Sequence, residues 1–168
     1  MSLFSRLLDP SNLPKHSTRI DVVSPITGVV SRLDDSSSTA YQHRIFGEGA
    51  LVQVSGFHVK APFDCVIEEA TQTANRLRLR DKHGLRLQIQ CGVDSHQLYG
   101  EGFKRWVKRG QKVKAGQILI EFDLRKLKLS LADSRFAVTV LNSDKTKGIL
   151  LESKNVTADE DILFSVLV

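Results

Sequence analysis

The five histidines and two cysteines are the side chains best suited to chemistry in this chain of 168 residues. The histidines are His16, His43, His58, His83 and His96. No two of them are spaced as H-x-H or H-x3-H, so we predict no metal site. Cys65 and Cys91 are too few for a disulfide framework, and Cys91 falls among alternating apolar residues. We therefore predict reduced, inert thiols in a cytoplasmic protein that needs no cofactor.

Six polar side chains occupy alternate positions of the segment 75–91, NRLRLRDKHGLRLQIQC. They are Arg76, Arg78, Arg80, Arg86, Gln88 and Gln90. The four arginines, called the arginine row below, are either a surface for an anionic partner or a solvated strand face. Like charges along two paired strands are unfavourable, so both interpretations remain open. The segment has no aromatic residue, which argues against stacking with single-stranded nucleic acid.

A hairpin must hold the arginine row in place. Leu77 and Leu79 precede a turn at 81–84, and Leu85, Leu87 and Ile89 follow it, all at odd positions. A strict period of two on both sides of a turn that contains glycine predicts a hairpin with one buried face. The odd-numbered residues are expected inside.

Short extended runs separated by turn residues continue along the rest of the chain. Examples are Gly28–Arg32, Ala50–Val54, Cys65–Glu69, Gln117–Phe122, Val138–Leu141 and Ile162–Leu167. Runs this frequent predict an all-β antiparallel sandwich with only minor short helices. The clearest helical pattern is Leu124–Ala132, with leucines on one face.

The first twenty residues differ from the rest. Residues 1–9 place Leu3, Phe4, Leu7 and Leu8 on one helical face beside Arg6, and residues 10–20 read as a linker with two prolines. We expect residues 1–9 to be either a weak tether to an anionic membrane or a disordered tail.

The domain is expected at 21–168. The net charge of +5 permits an anionic partner, and no run reaches the roughly 20 apolar residues of a membrane helix.

Four stretches resemble the glucose-type enzyme IIA family of the bacterial phosphoenolpyruvate:sugar phosphotransferase system. They are SPITGVV (24–30), RIFGEGALVQVSG with APFD (44–64), GLRLQIQCGVDS (84–95) and GEGFKRWVKRGQKVKAGQILIEFDL (100–124). The last is a long ordered string and the most specific. The resemblance runs over residues 21–168 and implies a barrel-sandwich of the duplicated hybrid motif type with a shallow, partly apolar face.

The resemblance also implies a phosphoryl relay through two histidines, and this chain has neither. The family's nucleophilic histidine follows a T-N pattern, and the string here reads Thr73-Ala74-Asn75. The second histidine falls at Gln90. A neutral imidazole nitrogen is nucleophilic near pH 7, whereas the lone pair of an amide nitrogen is delocalised. We therefore expect Asn75 and Gln90 to keep hydrogen bonding without accepting phosphate.

The family's docking face for the phosphocarrier HPr is an apolar ring with acidic rim residues. Tyr41, Ile45 and Phe46 are expected to keep part of the ring, and Asp94 and Asp144 two rim acids. Thr71 and Gln88 stand where the family has phenylalanines. The arginine row is expected to repel the basic patch of HPr.

Three functions remain open at this point. The first is a regulatory or binding module linked to sugar transport, with an unidentified transporter or regulatory target as its protein partner. The second is an active phosphocarrier that uses a substitute residue, for which only His43 is a weak candidate. The third is a binder of an anionic partner through a basic face, with nucleic acid disfavoured.

Overall fold

Antiparallel β-strands are the main regular secondary structure of the computed structural model, which describes residues 4–168. The strands are β1 Arg19–Val23, β2 Thr27–Arg32, β3 Glu48–Ser55, β4 His58–Lys60, β5 Cys65–Ala70, β6 Arg76–Asp81, β7 Arg86–Gln90, β8 Phe103–Arg105, β9 Lys112–Val113, β10 Ile118–Phe122, β11 Phe136–Val140, β12 Gly148–Leu151, β13 Asn155–Val156 and β14 Ile162–Leu167. The predicted all-β antiparallel fold is confirmed.

The strands form one large sheet and two small ones. The large sheet has the order β13-β2-β3-β11-β7-β6-β5-β9, and the small sheets are β1-β14-β12 and β4-β10-β8. Phe136 of the large sheet packs against Phe122 of a small sheet with ring centroids 4.8 Å apart. Both rings are buried, so the core lies between the sheets as in other sandwiches.

The hairpin of β6 and β7 has the predicted register. Arg78 pairs with Gln88 and Leu79 with Leu87 across the two strands. All five odd-numbered apolar residues that were expected inside are buried, as is Cys91. The period of two therefore identified the correct buried face.

The next strand in the sheet, β5, contains a bulge that the sequence pattern did not predict. Ile67 pairs with Leu79 and Glu69 pairs with Arg78, which leaves Glu68 as an extra residue. One extra residue in a strand lets two successive side chains face the same way. Glu68 and Glu69 accordingly both reach arginines on the outer face of the sheet.

Two short α-helices complete the fold, α1 at Thr39–Gln42 and α2 at Leu124–Ser130. The carboxylate of Asp123 caps α2 by accepting a hydrogen bond from the backbone N–H of Lys126 at 3.1 Å. The helix ends two residues earlier than predicted because Leu131 is extended. No helix among residues 4–168 is long and apolar enough to cross a membrane.

Residues 4–9 do not form the predicted helix. Leu7 makes a parallel bridge with Ile149, and the Leu8 amide donates to the Ile149 carbonyl at 2.8 Å. Leu7 packs against the main core, so half of the predicted apolar face is used inside the molecule. Leu3 lies outside the described residues. The sheet structure begins at Arg19 rather than at residue 21.

Candidate functional site

Asn75 lies in the loop between β5 and β6, and two threonines hold its side chain. The hydroxyls of Thr73 and Thr71 donate to the Asn75 amide oxygen at 2.8 and 3.0 Å. Ala74 adopts a left-handed conformation with φ of 58°, which lets the loop turn tightly into β6. The loop is also anchored from outside, because Arg105 donates to the carbonyl of Thr71 at 3.0 Å.

Gln90 lies at the end of β7 and meets Asn75 through a shared serine. The Asn75 amide nitrogen donates to the Ser95 hydroxyl at 3.4 Å, and the Gln90 amide nitrogen does the same at 3.4 Å. Ser95 in turn donates to the carbonyl of Gly92 at 2.7 Å. The two positions singled out in the sequence are therefore adjacent, and both amides are held in fixed orientations.

This arrangement presents two amides at the positions of interest, and the hydroxyls of Thr71, Thr73 and Ser95 around them all act as hydrogen-bond donors within the site. An amide nitrogen does not attack phosphorus, because its lone pair is delocalised into the carbonyl. Cys91 follows Gln90 in the chain, but its side chain is fully buried. Burial away from charges raises the pKa of the Cys91 thiol far above its ordinary value, so the reactive thiolate is not formed near neutral pH.

The arginine row is neutralised in part by two carboxylates. Glu69 accepts a hydrogen bond from Arg76 at 2.7 Å and forms an ion pair with Arg78 at 3.1 Å. Glu68 accepts a hydrogen bond from Arg86 at 2.9 Å and forms an ion pair with Arg80 at 3.4 Å. The arginine row is therefore a partly compensated basic face. Four guanidinium groups share two carboxylates, which reduces the charge of the face by half.

Two residues expected on the docking face lie below the surface. Tyr41 is buried, and its hydroxyl accepts a hydrogen bond from the Gln88 amide at 3.2 Å. Gln88 is fully buried and also accepts from Arg78 Nε at 2.9 Å. Burial raises the pKa of Tyr41 to about 12, so its hydroxyl stays protonated. Tyr41 and Gln88 were both predicted to lie on the docking face. They are buried because the segment of residues 33–46 covers this part of the large sheet.

The other predicted face residues are accessible to different degrees. Phe46 is half-buried and packs on Tyr41 with ring centroids 5.3 Å apart, whereas Ile45 is 69% exposed. Asp94 is half-buried and precedes the short 3₁₀ helix Ser95–Leu98. Asp144 is exposed, and with Ile45 it lines a cleft of about 710 Å³ that also contacts residues 4–6.

The sequence interpretation missed four residues of the site. Ser95 belongs to the motif GLRLQIQCGVDS, so its place at the end of that motif was a usable signal. Glu68 and Glu69 carried no signal, because strict alternation would turn one of them inward. Arg105 contacts the loop from 34 residues away in sequence, a distance over which spacing predicts nothing.

Comparison with known proteins identifies the class of protein to which this chain belongs. The family model described as phosphoenolpyruvate-dependent sugar phosphotransferase system, EIIA 1, matches residues 20–146. The chain belongs to this family of phosphotransferase-system IIA proteins.

The individual relatives are mainly glucose-type proteins. The chain is 29% identical over 166 residues to the glucose-specific EIIA component of Haemophilus influenzae, with 99% of each chain covered. It is 27% identical over 151 residues to the glucose-specific EIIA component of Borreliella burgdorferi, covering 90% of this chain and 80% of that one. The solved structure of glucose permease IIA from Mycoplasma capricolum superposes with a TM-score of 0.78 and 19% identity, over 88% of this chain and 96% of that one. At that identity the superposition concerns the fold alone.

Proposed function

We propose that this chain is a IIA protein that does not carry phosphate and acts as a regulatory or binding module linked to sugar transport. The observation that carries the proposal is the pair Asn75 and Gln90. Both positions resemble those of the family's two histidines, and both side chains are amides bonded to the Ser95 hydroxyl. A phosphoryl group transfers only to a nucleophile in line with it, and neither amide supplies one.

A phosphocarrier with a substitute nucleophile is the second candidate, and the geometry favours it less. His43 is exposed, and its ring lies 5.8 Å from the Phe4 ring on the cleft that contains Asp144. It belongs to the chain following α1 rather than to the loop that holds Asn75. Radiolabelled phosphate found on His43 after incubation with the phosphotransferase relay would establish this alternative.

The partner that we propose is a protein, either a transporter or a regulatory target. Docking of HPr is expected to be weak, because the arginine row keeps more guanidinium groups than carboxylates. The same pairing makes the arginine row a weaker anion-binding face than its four charges indicate. Nucleic acid is not proposed as a ligand of this face.

We propose a cytoplasmic location with at most weak contact to the inner face of the membrane. Leu7 is packed against the core and Leu8 contacts Gly148, whereas Phe4 is 60% exposed. Membrane contact through Leu7 and Leu8 would therefore require these two side chains to leave the sandwich. Absence of binding to anionic vesicles by the intact chain would contradict the tether.

The proposed loss of phosphate transfer is tested with a radiolabelled phosphoenolpyruvate relay of enzyme I and HPr. We expect no label on the native chain, while an active glucose-type IIA protein in the same reaction becomes labelled. Stable label on the native chain would overturn the proposal. Mapping the labelled peptide would then identify the substitute nucleophile.

A further inference from the structure

The excess positive charge of the chain is concentrated in one segment, of which the candidate site uses only Arg105. Residues 104–114, KRWVKRGQKVK, contain six basic side chains and no acidic one. Removing these six from the 24 basic residues leaves 18 against 19 acidic residues. The net charge of +5 therefore comes from this segment, and the rest of the chain is close to neutral.

Part of this segment forms one wall of a cleft of about 660 Å³ at the edge of the large sheet. We call it the basic cleft. Its lining includes Val66, Arg80, Lys82, His83, Lys112 and Lys114. The edge strand β9 supplies Lys112, and the tip of the β6–β7 hairpin supplies Lys82 and His83 on the opposite wall.

An apolar side chain lies between cations in this cleft. Val66 pairs with Arg80 of β6 on one side and with Lys112 of β9 on the other. Residues paired across antiparallel strands project from the same face of the sheet. Cys65 and Val113 also border the cleft, but both are buried in the core, so the accessible apolar surface comes from Val66. The cleft therefore combines an apolar floor with basic walls.

Two of the cations in the cleft, Lys82 and Lys112, lie in no ion pair among the described residues, although Lys82 is close enough to Asp64 to help lower the pKa of that carboxyl. Lys114 pairs with Asp64 at 3.3 Å, and Arg80 pairs with Glu68 at 3.4 Å. Within residues 4–168, neither Lys82 nor Lys112 forms an ion pair with a carboxylate, and both are exposed. An external carboxylate can therefore bind them without displacing an internal one.

We propose that the basic cleft binds an acidic protein segment that places one apolar side chain over Val66 and carboxylates beside Lys82 and Lys112. Four cationic side chains line the cleft against the two carboxylates of Asp64 and Asp81, and this excess of positive charge favours an anionic partner. The concave shape and apolar floor favour a polypeptide over a flat lipid surface. Because the lining contains no Phe, Tyr or Trp, stacking of nucleic-acid bases is not supported.

The basic cleft and the candidate site lie at opposite ends of β6. Asn75 immediately precedes this strand, and Asp81 ends it in the cleft. Six residues of extended chain span about 20 Å. A segment bound in the cleft would therefore leave the face around Asn75 and Gln90 open to another partner, and this binding does not depend on the proposed loss of phosphate transfer.

The test is fluorescence anisotropy with a labelled peptide of four glutamates around one leucine. We expect salt-sensitive binding to the native chain, and about tenfold weaker binding when Lys82→Glu and Lys112→Glu are combined. The control combines Lys128→Glu with Lys145→Glu, which changes the net charge equally at exposed positions outside the cleft. The control is expected to keep most of the affinity. A peptide with serine in place of leucine is expected to bind more weakly.

Several outcomes would overturn the proposal. These are no binding of the glutamate peptide, equal loss of affinity in the two double variants, or equal affinity for the leucine and serine peptides. Duplex DNA and phosphatidylserine vesicles are measured in parallel. Tighter binding of either one, abolished by the cleft variants only, would assign the cleft to nucleic acid or lipid instead.

Discussion

Asn75 and Gln90 donate hydrogen bonds to one and the same oxygen, the hydroxyl of Ser95, over equal distances of 3.4 Å. Ser95 is buried, and its own proton is directed to the Gly92 carbonyl. Its oxygen is therefore available as the acceptor for both amides. The loop before β6 and the end of β7 are tied together at this atom.

Replacing Ser95 with alanine is expected to destabilise the fold by about 1 kcal/mol, because both amide groups lose their shared acceptor and Gly92 loses a donor. Chemical unfolding in urea measures the change. Ser130→Ala is the control, since Ser130 is exposed at the end of α2, and it is expected to stay within about 0.5 kcal/mol of the native chain. Equal free energies of unfolding for the two variants would show that Ser95 does not tie the loop before β6 to the end of β7.

Restoring both histidines, by Asn75→His with Gln90→His, is expected to give at most slow labelling in the relay assay. The arginine row still opposes a basic carrier, and adding Arg80→Glu is expected to raise the rate about tenfold at low salt. The gain should fall as salt rises, because charges are screened within about 8 Å at physiological ionic strength. Lys128→Glu in the same background is the control for net charge. Fast labelling of the double variant, unchanged by Arg80→Glu, would show that the arginine row is harmless.

Leu87→Ala is expected to lower the free energy of unfolding by about 2–5 kcal/mol, because Leu87 is fully buried and truncation leaves a cavity. Leu129→Ala is the matched control, since Leu129 is 78% exposed. Denaturant unfolding of both variants measures the difference. A cost near zero at Leu87 would contradict the assignment of the buried face.

Gly148→Ala is expected to displace residues 6–8 from the sandwich. A methyl group at Gly148 would lie 2.6 Å from the Leu8 side chain and 2.7 Å from the Arg6 carbonyl oxygen. Hydrogen exchange of the Leu8 amide, which is bonded to Ile149, should accelerate by about tenfold or more. Gly56→Ala is the control, because Gly56 also has positive φ but no atom within 4 Å of the added methyl. Unchanged protection of Leu8 in Gly148→Ala would show that the segment is not held there.

Asp133 is expected to make stability fall in acid. Its carboxylate accepts from Arg135 Nε at 2.9 Å and from the Ser37 hydroxyl at 2.8 Å, and the Arg135 bonds are the main reason that the pKa of Asp133 lies far below its usual range. The unfolded chain binds this proton near pH 3.8 and the folded chain does not. The ionised Asp133 carboxylate therefore stabilises the folded state above that pH, and this stabilisation is lost as the pH falls.

The measurement is the free energy of unfolding at pH 6 and pH 3 for the native chain and for Asp133→Asn. Since the variant has no titrating group at this position, its drop between the two pH values is expected to be smaller. An equal drop would exclude Asp133 as a source of acid sensitivity.

Local periodicity predicted the hairpin, because its two strands have one buried face and one outer face. It assigned Leu77 and Ile89 correctly and brought Asn75 near Gln90. It predicted Gln88 to be exposed, but the segment of residues 33–46 covers that part of the outer face. The alternation of polar and apolar residues along a strand does not reveal that a distant segment covers it. The predicted helix is absent from residues 4–9 for a similar reason, since pairing with Ile149 supplies hydrogen bonds that an isolated segment lacks.

In the gene, the bulge at Glu68 corresponds to a single codon. Deleting that codon would restore an unbroken ladder between β5 and β6, with Ile67 still opposite Leu79 and Glu69 still opposite Arg78. The core would be unchanged, yet Arg80 and Arg86 would lose their shared carboxylate. One in-frame deletion would thus raise the charge of this face by one unit without altering the fold, a route by which related proteins can diverge in the partners they accept.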